Sequence, residues 1–220
     1  MRINRPYSTI DELPSSIPVF PLPGALLLPR GHLPLNIFEK RYLAMIDDAL
    51  ASHRLIGMVQ PAADAQEPAP ALMPVGTVGR ITQIAETGDG RYVLTLTGVC
   101  RFRITAENSP DKLYRQCNVD YSSFACDLLN KSEEKGIDRS AVIESLRRYS
   151  QANHMKVDWK EIEKTPGEAL VNALCMMGPF NLAEKQALLE APDLSARAEM
   201  LVAITEFAIK KSCGEGQKLQ

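Results

Sequence analysis

The residues best able to do chemistry in this chain stand too far apart to do it together. Three histidines, His32, His53 and His154, lack the i, i+4 spacing that puts two imidazoles on one helix face as metal ligands. Five cysteines, Cys100, Cys117, Cys126, Cys175 and Cys213, form no C-x-x-C pair, so neither a zinc ribbon nor a dithiol redox motif is present. Neighbouring acids such as Asp47-Asp48 and Glu133-Glu134 point apart on a helix and cannot work as a catalytic pair. No G-x-x-x-x-G-K-[ST], H-E-x-x-H, G-x-S-x-G or G-x-G-x-x-G occurs, so no phosphate cradle, zincin site or nucleophile elbow is encoded. The expectation is a chain that is not an enzyme and takes no cofactor or metal.

Composition narrows the partner. At 220 residues, 45% hydrophobic and 24% charged, the chain matches ordinary globular proteins. A net charge of −2 gives no electrostatic case for nucleic acid, and Arg147-Arg148 and Lys210-Lys211 read as solvated helix faces. No apolar stretch follows Met1–Pro6 and no run is long enough to span a bilayer, so no membrane is implied. Asn130-Lys131-Ser132 matches a glycosylation triplet but carries no weight without a secretory signal. Unpaired, scattered cysteines agree with reduced thiols and a cytoplasmic setting.

The positioning elements fall into two parts. Residues 1–16 read as a loosely held polar arm. The prolines of Ile17–Pro29 and Leu33–Phe38 remove backbone donors inside apolar runs, which predicts short, bent edge strands. Tyr42 or Leu43, Ile46 and Leu50 mark a helix over 39–51, and Leu55–Val59 a buried strand. A proline-rich loop spans 60–74. Val75–Tyr121 reads as β, with Asp89-Gly90 as a hairpin turn and Gly98 as a bulge or corner. Beyond Gly98, Cys100, Phe102 and Ile104 alternate with outward Arg101 and Arg103, and a last strand runs around Tyr114–Phe124. Bent strands with such corners favour a small closed or half-closed barrel.

From residue 127 a charged linker leads to four helices. The first carries Val142 or Ile143, Leu146 and Tyr149 on one face. The second opens on Thr165-Pro166-Gly167-Glu168 as a capping box and stops at Gly178-Pro179. Asn181 with Glu184 caps the third, and Asp193 opens the fourth, which frays at Gly214. The expected domains are 1–126, β-rich with one helix, and 127–220, helical.

The proline-rich opening, Val75–Ile81, Asp89–Tyr92, Leu96–Ile104 and the Asn181–Glu190 helix together resemble the amino-terminal, substrate-recognition domain of Lon-type ATP-dependent proteases. The resemblance covers residues 17–209. It departs at Ala198, where the family usually carries leucine, and at Cys100, often basic or small there. The ATPase and Ser–Lys protease domains are not matched, so the chain is identified as a stand-alone, bacterial-type member. The resemblance implies an α+β fold, a PUA-like bent β-barrel followed by a carboxy-terminal α-helical bundle. It implies as partners unfolded or partly unfolded polypeptides, bound through exposed apolar segments, and a separate ATP-dependent protease. Alternatives from other classes are an RNA-binding PUA-like protein and a small-molecule sensor using the cleft between the two parts.

Recognition requires apolar surface left uncovered. Leu26, Leu27 and Leu28 are one candidate, because three consecutive leucines cannot all face inward from a strand; the alternative is that a helix covers the outer face. Met176 and Met177 beside Phe180 are a second, since methionines make adaptable contacts; the alternative is a core stripe through Leu170, Leu174 and Met177. Trp159, in a polar stretch, is the third, as a partner anchor or as a clamp on the helices.

Overall fold

The computed structural model describes residues 5–62, 70–108, 112–129 and 136–215, with side chains through Lys211. The centre of the expected proline-rich loop, the linker charges Lys131, Glu133, Glu134 and Lys135, and the side chain of Cys213 lie outside the described residues. The chain divides into two compact units, Met1–Lys131 and Ser132–Gln220.

Among the described residues, the first unit is built on six strands: β1 (Ser16–Pro21), β2 (His32–Ile37), β3 (Leu55–Val59), β4 (Val75–Glu86), β5 (Tyr92–Asn108) and β6 (Gln116–Asp120). Their order is β2-β5-β4-β3-β1-β6, and a further β5–β6 pairing closes all but β2 into a bent barrel. Helix α1 (Lys40–Leu50) buries Tyr42, Met45, Ile46 and Ala49. Closure depends on β5, which pairs with β2 over Tyr92–Thr97 and with β6 over Arg103–Asn108. It bends at Gly98, where the β4–β5 register slips. A Cβ on Gly98 would lie 2.0 Å from the Leu28 carbonyl oxygen, so only glycine admits this approach.

β1 is not the edge strand its prolines suggest, for it is parallel to β3 and antiparallel to β6. The pairings are staggered, β6 taking Ser16–Pro18 and β3 taking Val19–Pro21. Val19 N donates to Arg115 O and Leu22 N to Val59 O. By alternation, the Pro18 nitrogen faces the β3 side before that pairing begins, and Pro21 faces the β6 side after that pairing ends. Each proline thus removes a donor that had no partner. β2 is an edge strand, and Gly98 N donating to Gly31 O places Pro34 on its outward-facing positions.

The β4–β5 hairpin turns as expected, with Gly90 at φ 79° and Thr87 N bonded to Arg91 O at 2.8 Å. The last strand is shorter than the sequence suggests. Phe124 belongs instead to a 3-10 helix, Ser122–Leu128, which also carries the buried Asp127.

The second unit holds α2 (Arg139–Ala152), α3 (Trp159–Lys164), α4 (Gly167–Met177), α5 (Leu182–Glu190) and α6 (Leu194–Glu215). Short α3 was not anticipated; the Asp158 side chain starts it by accepting from Lys160 N and Glu161 N. The expected Thr165 capping box does not form. Thr165 ends α3, its hydroxyl donating to Glu161 O at 2.7 Å, and Pro166 precedes α4 with no side-chain cap. The Asn181–Glu184 box forms in full, with bonds of 2.8 and 2.9 Å. Ala196 N donates to Asp193 at 2.8 Å to start α6, which stays helical through Gly214. The expected α+β architecture, a PUA-like bent barrel and a helical bundle, is the one found. No helix among the described residues is long and apolar enough to cross a membrane.

Candidate functional site

One groove in the second unit is lined by apolar side chains, while Phe207, 66% exposed, lies outside it. Helix α2 contributes Val142, Ser145, Leu146 and Tyr149, spaced i, i+3, i+4, i+7 as one helix face must be. Helix α6 sets Leu201, Val202 and Thr205 opposite, and α4 supplies Leu174 and Met177. The groove encloses about 210 Å³. An apolar cavity of roughly 150 Å³ holds a benzene ring, so this one has room for one large aromatic or branched side chain.

Local chain geometry places the remaining walls. Gly178 ends α4 at φ −59°, so the glycine is not there for a left-handed turn. A Cβ would lie 2.3 Å from Phe180 Cε2, and its absence lets the ring fold back over the helix end. His154, at φ 51°, reverses the chain after α2, and Met155 N donates to Ser150 O at 2.9 Å. Arg139 holds the end of α3, donating to Thr165 O at 2.6 Å, Ile162 O at 2.8 Å and Glu163 O at 2.9 Å. That clamp fixes Ile162 in the groove wall.

No charged side chain lines the groove. Thr205 turns its hydroxyl onto Leu201 O at 2.7 Å. The Ser145 hydroxyl is buried with no partner among the described residues. Apart from the Ser145, Tyr149 and Thr205 hydroxyls the lining is apolar, which suits the groove to binding an apolar group. Met155 and Met177 stand at its rim, 51% and 78% exposed, as flexible apolar flaps.

The candidates from sequence divide. Met177 and Phe180 meet in the groove. Met176 is half-buried outside it, and its carbonyl accepts from Lys185 Nζ at 3.3 Å. Trp159 is half-buried, with the Arg147 guanidinium 5.2 Å from its ring, and does not line the groove. Leu26, Leu27 and Leu28 are not exposed surface at all. They are at most 2% exposed in the first unit. They lie in an irregular segment after a turn at Gly24 (φ 73°), where strand alternation does not apply. Leu27 fills the space over Gly79 and Leu28 O that over Gly98. Sequence reasoning missed Met155, Val157 and Ile162, which carry no helical period with Met177.

A polar cluster in the first unit links the Tyr114 hydroxyl and the Lys112 ammonium to Asp48, at 2.5 and 2.8 Å. The hydrogen bond from Lys112, then that from Tyr114, holds the Asp48 carboxyl below its ordinary range. Burial, then Asp48, pushes the Tyr114 phenol up. Each group is stabilised in its resting protonation state, the opposite of what an acid–base catalyst needs.

The sequence model of one protein family, the ATP-dependent protease La (LON) substrate-binding domain, matches residues 16–206. Lon protease 2 of Myxococcus xanthus is 29% identical over 196 residues, covering 87% of this chain and 24% of that protein. Lon protease of Anaeromyxobacter dehalogenans is 28% identical over 198 residues, covering 87% and 23%. The chain therefore spans about a quarter of the length of these relatives. Among solved structures, the Lon N-terminal domain protein from Xanthomonas campestris superposes with a TM-score of 0.58 at 23% identity, covering 86% of this chain and 97% of that one. The N-terminal domain of Mycobacterium avium complex Lon protease gives 0.61 at 19% identity, covering 87% and 98%. At these identities the structures speak for the fold.

Proposed function

The chain belongs to the Lon substrate-binding domain family, and on that premise we propose that it is a non-catalytic polypeptide-recognition module whose helical unit takes exposed apolar segments of other proteins. The observation that carries this reading is the uncharged groove of about 210 Å³ with Met155 and Met177 at its rim. Its size suits a single large side chain, and a folded protein rarely presents one so fully. An unfolded chain does so at every aromatic or leucine. Methionine rims adapt to different occupants, as a module serving many substrates requires. The role fits a cytoplasmic module that supplies ATP-dependent proteolysis with substrates.

The test compares capture of one reporter protein in denatured and native form by the wild-type chain and by Met177→Asp. Met177 is largely exposed, so the variant keeps its fold while placing a charge at the rim. Selective capture of the denatured form, weakened by about tenfold or more in the variant, is the expected result. Equal retention of both forms by the wild-type chain, or a variant that binds unchanged, would overturn the reading.

A further inference from the structure

A second cavity, in the first unit, has the opposite chemistry. It encloses about 310 Å³ at the bend of β5, between the amino-terminal arm and the 3-10 helix, with Tyr7, Arg30, Arg80, Thr82, Thr97 and Asp127 in its wall. Asp127 is the one acid among its described lining residues, and Arg101 already holds that carboxylate through two side-chain bonds of 2.9 Å.

Arg80 is the group that requires an explanation. It is 9% exposed, yet its partners are neutral: the Arg5 carbonyl at 2.7 Å from one guanidinium nitrogen and the Tyr7 ring, centred 4.3 Å from Cζ. Buried guanidinium groups are ordinarily matched by a carboxylate or phosphate, because desolvating an unmatched charge is costly. Among the described residues neither is bonded to Arg80.

The surroundings are built to hold donors in place. The β4–β5 register slips between Ile81 and Gln83, which makes Thr82 a bulge residue beside the cavity. Its hydroxyl reaches Thr95 O at 3.2 Å and lies 2.9 Å from that of Thr97, which is also 3.0 Å from His32 Nδ1. Arg30 adopts φ 65°, uncommon for a residue with a Cβ, and its guanidinium reaches the Asp127 carbonyl at 2.6 Å across the same cavity wall.

We propose that this cavity binds a small oxyanion, a carboxylate or a phosphate group, on the Arg80 guanidinium, with Arg30 and one hydroxyl of the Thr82–Thr97 pair as further donors. The Arg5 carbonyl now accepts from one Arg80 N–H donor. An anionic oxygen there would make a hydrogen bond about twice as strong as a neutral carbonyl does, and would supply the missing counter-charge. This site is independent of the apolar groove and of polypeptide recognition there.

The test is calorimetric titration of the full chain with inorganic phosphate, with N-acetylglycylglycine, and with the carboxamide of that dipeptide. Saturable binding of an anion, none of the carboxamide, and affinity lower by at least about tenfold in Arg80→Gln is the expected pattern. Binding of phosphate alone assigns a phosphate site, and binding of the dipeptide alone assigns a peptide carboxyl terminus. The absence of saturable binding of either anion, or binding that Arg80→Gln leaves unchanged, overturns the proposal. Amide shift mapping on the wild-type chain decides the matter if Arg80→Gln fails to fold: shifts centred on Thr82, Thr97 and Gly98 support the site, and shifts confined elsewhere overturn it.

Discussion

Arg101 and Asp127 form a two-pronged ion pair inside the first unit, Nε to Oδ2 and Nη2 to Oδ1 both at 2.9 Å, with the Arg101 backbone N donating to Oδ2 at 3.0 Å. Arg101 is 1% exposed and Asp127 7%, and the Phe124 ring lies 4.5 Å from the guanidinium carbon. The pair ties the 3-10 helix to β5. Removing one partner strands the other charge, so Arg101→Met should cost about 3–5 kcal/mol in urea unfolding. Arg101→Met with Asp127→Leu should recover most of that loss. A double variant as unstable as the single one would show that the bonds, rather than the stranded charge, carry the cost.

Gly98→Ala should destabilise the chain by about 2–3 kcal/mol, the upper range for overpacking, because the new Cβ meets a backbone carbonyl that no rotamer change can move. Gly88→Ala is the control, since nothing lies within 4 Å of a Cβ there. Thermal melts of the two variants should separate clearly, with Gly88→Ala close to wild type.

The barrel was legible where local chemistry decides. Prolines, Asp89-Gly90 and Gly98 announced bent strands and corners, and Asn181–Glu184 announced a helix start. What escaped depended on distant partners. Strand alternation sent Arg101 outward with Arg103, and nothing near Arg101 reveals that a carboxylate 26 positions later draws it inside. The three leucines were judged by strand geometry in a segment whose backbone is not a strand. Met177 and Phe180 were found because they are neighbours in sequence. Met155 and Ile162 reach the groove only through the His154 reversal and the Arg139 clamp, which are tertiary facts.

The two capping motifs should separate under mutation. Asn181→Ala removes the side-chain acceptor of the Glu184 N–H, one half of a formed box, and should cost about 1 kcal/mol. Thr165→Ala loses one exposed bond at the end of a six-residue helix and should stay within about 0.5 kcal/mol of wild type. Chemical denaturation of both variants checks the ordering, and equal costs would contradict the assigned roles.

Buried thiols should make the fold sensitive to alkali. Burial raises the Cys117 thiol from 9.0 to about 11 and the Cys175 thiol from 9.0 to about 12. Above pH 9.0 the unfolded chain releases these protons before the folded chain does. Stability therefore falls as pH rises from there towards the folded values, and these thiols add no slope below it. Cys117→Ala and Cys175→Ala should each flatten the decline in urea midpoint across that window, whatever they cost at neutral pH. In the native chain iodoacetamide should label exposed Cys126 and spare Cys100, Cys117 and Cys175 until unfolding.

Ser145 offers the sharpest probe of the groove. Its side-chain oxygen is buried, without a partner among the described residues and part of a largely apolar wall, and an unmade hydrogen bond of this kind costs about 1–3 kcal/mol. Ser145→Ala removes the cost without adding volume or charge, so the unliganded chain should become more stable. If the groove takes apolar side chains, the same change makes its wall more apolar, and affinity for a denatured reporter should hold or rise. Met177→Asp should lower that affinity with little effect on stability, so the two variants move stability and binding in different directions. A Ser145→Ala chain that is more stable but no longer captures the reporter would mean that the hydroxyl is a ligand contact, and that the preferred segment carries a polar group such as a tyrosine hydroxyl into the groove.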